Sequence, residues 1–121
     1  MNYESCTNSA SQTHPGARFT IRRMSFERRV ELTRHLRELF QRIEFLEAGK
    51  DPRESIEAAL LTAEIDRTYL LWGLARTEGL EIDGQAATPE TLAAAGPEDL
   101  CREIVAAIRL ECGLTEAERK N

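Results

Sequence analysis

Apolar positions along this chain fall at helical spacing over three long stretches. After Ser25 the residues Phe26, Val30, Leu36, Leu39, Phe40, Ile43 and Leu46 recur so that they share one helix face. This predicts a first helix from about Phe26 to Glu47. Ser25 serves as N-cap, without a capping box because Arg28 occupies the N3 position, and Gly49 as the left-handed stop. Asp51-Pro52 then gives an N-cap and a proline at the first helical position, opening a second helix over Pro52 to Thr77. It carries two neighbouring stripes, Ile56, Leu60, Ala63 and Leu70 beside Leu61, Ile65, Tyr69 and Trp72, which makes it the central helix. Gly73 interrupts the pattern at a cost of about 1 kcal/mol relative to alanine. A close approach by another segment, or a kink beside Trp72, would justify it.

Beyond that helix, Gly79-Leu80-Glu81-Ile82-Asp83-Gly84 reads as a stop, a short extended segment and an Asp-Gly turn. Thr88-Pro89 starts a short helix ending near Ala95 and Gly96. Pro97 opens a last long helix with Leu100, Ile104, Ala107 and Ile108 on one face and Cys101, Val105 and Cys112 alongside, closed by Gly113. Thr115 to Glu118 fits a capping box for a terminal turn. At the other end, Met1 to Ala17 is polar and lacks the apolar residues needed to offset ordering, so residues 1–17 are expected to be a disordered arm. Arg18 to Arg22 alternates polar and apolar, which favours a short extended piece or strand. The expected architecture is all-α: three main helices plus one short helix, a short extended segment near 80–84, and residues 18–121 as a single helical domain.

Composition narrows the setting. A chain of 121 residues is long enough for one core, and 41% hydrophobic with 31% charged residues is the balance of a globular protein. No apolar run approaches the roughly 20 residues of a membrane span, and Met1 to Gly16 has no apolar h-region, so a cytoplasmic protein is expected. The formal charge of −5 is unevenly distributed. Through Lys50, nine basic residues face six acids, about +3, and from Asp51 onward seven face fifteen, about −8. The arginines of the first helix are interleaved with Glu27, Glu31, Glu38 and Glu44, as helix-surface ion pairs require. The other reading is a nucleic-acid-associated regulator that uses this Arg-rich helix on phosphates.

No catalytic or metal-binding set emerges from the polar residues, and no cofactor is implied. Cys6, Cys101 and Cys112 are odd in number, and the last two lie three turns apart on one helix, about 16 Å, too far for a disulfide. His14 and His35 have no partners at ligand spacing. Glu57 and Glu64 share a face but lack an accompanying Glu-x-x-His pattern. The reading is a non-enzymatic protein. Tyr69 and Trp72 are expected in the core with their polar tips at its edge. Were Trp72 exposed beside Leu80 and Ile82, it would be an anchor for a partner protein.

Trp72-Gly73-Leu74, Glu78-Gly79-Leu80-Glu81-Ile82-Asp83-Gly84 and Ala87-Thr88-Pro89-Glu90-Thr91-Leu92 stand ahead of a C-terminal helix, and Phe19 to Arg28 forms an extended-then-helix opening. In these features residues 18 to 121 resemble the small tail assembly chaperones of tailed bacteriophages and prophages. The resemblance implies a non-enzymatic helper in the bacterial host cytoplasm, binding the tape-measure or tail-tube protein while the tail is built. It also implies, for some members, a longer form made by minus-one ribosomal slippage, and the dipeptide Lys120-Asn121 is one that a slip-prone AAA-AAC can encode. The surfaces expected to bind the partner are the edge formed by Tyr69, Trp72, Leu80 and Ile82 and the acidic last helix with Glu98, Asp99 and Glu103.

Overall fold

In a computed structural model that describes residues 1–49 and 51–113, the chain combines four helices with two small antiparallel sheets. The elements in order are β1 (Cys6–Ala10), β2 (Arg18–Arg22), α1 (Phe26–Glu47), α2 (Pro52–Gly73), β3 (Leu74–Glu78), β4 (Glu81–Ile82), β5 (Gln85–Ala86), α3 (Pro89–Ala95) and α4 (Glu98–Cys112). The all-α expectation is therefore corrected to a mixed α/β architecture. Residues 1–17, read as a disordered arm, contain β1, which pairs with β2 from Cys6↔Arg22 to Ala10↔Arg18. The terminal turn around Thr115 to Glu118 and the Lys120-Asn121 dipeptide lie outside the described residues.

The three-stranded sheet has the order β1-β2-β3. Central β2 follows its sequence pattern: Phe19 and Ile21 turn into the core, while Thr20 is buried on the opposite face between Asn8 and Arg76. Its second neighbour, β3, comes from residues expected to extend α2. The helix ends at Gly73, and Leu74 passes straight into the strand with a register shift opposite Thr20 and Ile21, leaving Ala75 without a partner as a bulge. Pairing with β2 overrides the local helical periodicity here.

Helix boundaries otherwise sit where the capping residues put them. The Ser25 hydroxyl accepts from the Arg28 N–H at 3.2 Å, the Asp51 carboxylate from the Arg53 N–H at 2.9 Å, and Thr88 and Thr91 cap each other's backbone N–H groups. Gly49 does not take the left-handed role expected of it; α1 closes at Ala48 in the right-handed region, with φ −72°. The Asp83-Gly84 pair does turn the β4–β5 hairpin, at φ 52° and 79°, where a two-residue loop matches the twist of the strands.

α1 packs almost entirely on α2 in an antiparallel hairpin, and α2 in turn carries α3 and α4. Leu32, Leu36 and Ile43 are the buried residues of α1 and meet Leu61, Ile65 and Tyr69 of α2 in one core shared with Leu92, Leu100, Ile104 and Ile108. Phe26 and Val30, which the spacing placed on the buried face, are exposed. No helix among the described residues is long and apolar enough to cross a membrane.

Candidate functional site: an apolar stripe and groove on the central helix

Of the two stripes on α2, the one facing α1 is buried at Leu61, Ile65 and Tyr69 and half-buried at Trp72, and the other is buried only at its C-terminal end. Leu70 is covered by the neighbouring elements, whereas Ile56 is 72% exposed and Leu60 55% exposed, with Ala63 also open. α4 crosses α2 near Leu70, and with α3 it bounds a groove of about 330 Å³ floored by Ala63, Leu70, Ala93 and Val105. The exposed stripe runs directly into this groove through Ala63.

The rim is charged and largely paired. Arg102 bonds Glu98 at 2.6 Å one turn away, and Arg109 bonds Asp66 at 2.7 Å while lying 4.7 Å from the centre of the Tyr69 ring. Cys101 opens into the groove, donates to the Leu92 carbonyl and is held as a thiol. Burial raises its pKa first, and the nearby carboxylates of Asp99 and Glu98 add to the effect. Cys112 is pushed up to about 11 by burial, with Arg29 and Arg28 pulling the other way. Neither has the thiolate character of a nucleophile. All three cysteines are free thiols, and among the described residues no three His, Cys, Asp or Glu side chains are grouped to hold a metal.

The residues expected to bind a partner are largely engaged within the fold. Tyr69 is wholly buried. Trp72 is half-buried under the Arg28 guanidinium, which lies 3.8 Å from its ring centre and donates to the Trp72 carbonyl at 2.7 Å. The indole N–H is buried without a hydrogen-bond partner among the described residues. Leu80 and Ile82 are partly buried against the core. On α4, Glu98 pairs with Arg102, while Asp99 and Glu103 hold the β1–β2 loop.

That loop is latched by hydrogen bonds no local pattern announces. The Glu103 carboxylate accepts from the Ser11 hydroxyl at 2.7 Å, the Gln12 N–H at 2.7 Å and the Thr13 hydroxyl at 2.8 Å, and Asp99 meets His14 Nε2 at 2.8 Å. Burial acts to raise the Glu103 pKa, but the bonds from Gln12, Ser11 and Thr13 outweigh it and leave it below its ordinary 4.5. The bond to His14 likewise lowers Asp99. Both folded pKa values lie below the unfolded ones. The latch therefore contributes stability above the ordinary carboxylate range and loses it as pH falls through the folded values. Glu103→Gln is expected to cost about 1 kcal/mol at pH 7. Urea unfolding over a descending pH series should show the difference between wild type and variant shrinking as the pH falls through the lowered carboxylate value.

Two of the arginines of α1 serve the fold. Arg28 covers Trp72, and Arg29 donates to the Cys112 carbonyl at 3.1 Å, satisfying a helix-end acceptor. Against known proteins, the chain matches no family model, no curated protein and no solved structure.

Proposed function

We propose that this chain is a non-enzymatic assembly protein of the tail assembly chaperone kind, which holds a helical segment of the tape-measure or tail-tube protein during phage or prophage tail morphogenesis. The observation that supports this reading is the exposed Ile56–Leu60–Ala63 stripe running into the α2–α3–α4 groove. An amphipathic helix lays residues spaced by three and four into such a groove, and a rim of paired charges around an apolar floor sets its register. The phage assignment itself rests on the resemblance carried by Trp72 to Leu92.

The test is co-purification with the tape-measure and tail-tube proteins of the same element. Retention by one of them, weakened at least about tenfold by Ile56→Asp or Leu60→Asp with the fold intact, is the expected result. Duplex DNA binding that falls steeply with salt would instead support a regulator acting through Arg34, Arg37 and Arg42 of α1, and would overturn the proposal.

A further inference from the structure

β1 is an edge strand with nothing to blunt it. Arg23 N–H donates to the Ser5 carbonyl and Ser11 N–H to the Ala17 carbonyl, so the odd-numbered residues of this segment bond β2. The N–H and C=O groups of Cys6, Asn8 and Ala10 consequently point outward from the sheet, and no described residue bonds them. Natural edges are protected by charge, proline or a bulge. From Ser5 to Thr13 this chain has neither charge nor proline, and the β1–β2 pairing is regular along its length.

We infer that β1 pairs with β1 of a second copy, antiparallel about a two-fold axis at Asn8, to make one continuous six-stranded sheet. The strand is self-complementary in that register. Cys6 faces Ala10 of the other copy, Thr7 faces Ser9, and Asn8 faces Asn8. The outward groups of the two strands match one for one and make about six backbone hydrogen bonds. Every cross-strand pair is small and uncharged, and the Thr7–Ser9 pairs place hydroxyls opposite one another. Asn8 Oδ1 already accepts from the Thr20 hydroxyl, which leaves its amide N–H₂ to donate across the axis. Arg22 of one copy and Arg18 of the other come into the same row three strand spacings apart, about 14 Å, beyond the range at which exposed charges repel strongly. The helices leave room, since α4 packs beneath β2 and α3 beside β3.

Sedimentation of the full chain over a concentration series tests this. Wild type is expected to dimerise reversibly. Ala10→Pro removes an outward N–H without touching the β2 ladder, and Asn8→Lys sets two lysines directly opposite one another at the axis, their Cα atoms about 5.5 Å apart. Each should weaken the dimer at least about tenfold. Mixing Asn8→Lys with Asn8→Asp should restore a one-to-one pair, which a purely structural role for Asn8 would not do. As a check independent of any variant, the amides of Cys6, Asn8 and Ala10 should exchange more slowly with deuterium as wild-type concentration rises. A wild type that stays monomeric throughout, a dimer indifferent to both substitutions, or an edge that takes up only an extended peptide from another protein would overturn the proposal.

Discussion

Tyr69→Ala is expected to remove about 3–5 kcal/mol of stability, the range for deleting a large buried aromatic. The Tyr69 side chain of α2 is fully enclosed in the core shared with α1 and α4, among the largest side chains there. Its ring also supports Arg109, whose guanidinium lies over it and bonds Asp66. Truncation leaves a cavity between two helices and takes away the surface on which that cation rests. Against the 5–15 kcal/mol that holds a domain of this size together, the loss is large enough to populate the unfolded chain under mild conditions. Chemical unfolding monitored by Trp72 fluorescence measures it. A loss under about 1 kcal/mol would mean that the core closes over the gap.

Gly73→Ala is the second large effect, and its sign opposes intrinsic propensity. Alanine favours a helix over glycine by about 1 kcal/mol, yet a Cβ at residue 73 would lie 2.6 Å from Cγ2 and 2.9 Å from Cδ1 of Ile108. Ile108 is itself buried on α4 and has little freedom to withdraw. Overpacking of this kind costs about 1–3 kcal/mol, so net destabilisation is expected. The decisive measurement is a double-mutant cycle. In an Ile108→Ala background the same Gly73→Ala change should become neutral or stabilising, because the obstructing atoms are gone. Equal costs in both backgrounds would show that the glycine is needed for the helix-to-strand passage at Leu74 and not for the approach of α4.

How far the sequence can be read depends on how local each determinant is. α1 runs from Phe26 to Glu47, opened by its Ser25 cap although closed at Ala48 and not by a left-handed Gly49, and the Asp51-Pro52, Thr88-Pro89 and Asp83-Gly84 signals all act within a few residues of themselves. β1 escaped because Cys6 to Ala10 has no alternation of apolar and polar residues; it is a strand only because β2 offers it a partner. Leu74 to Thr77 departs from its helical pattern for the opposite reason. Leu70 and Leu74 continue a helical step, and only the long-range pairing with β2 turns the segment into β3. The candidate site divides the same way. Its stripe of Ile56, Leu60, Ala63 and Leu70 is visible as a period, but the groove exists only where α4 crosses α2. Glu103 carried no local sign that it would bind a loop 92 positions earlier in the chain.

The separation between Ser11 and Glu103 also sets an order of assembly. The α1–α2 hairpin closes a short connection and needs nothing beyond residue 73. By contrast, β2 must wait for residues 74–78 before its second edge is covered, and the loop between β1 and β2 stays undocked until α4 emerges. Loop closure over so many residues is entropically unfavourable until the intervening elements have already brought the ends near. The local pairings, β1 with β2 and α1 with α2, are therefore complete in sequence before β3 and α4 are made. The hydrogen bonds to Glu103 can form only once α4 has been made, and they then seal the β1–β2 loop against it.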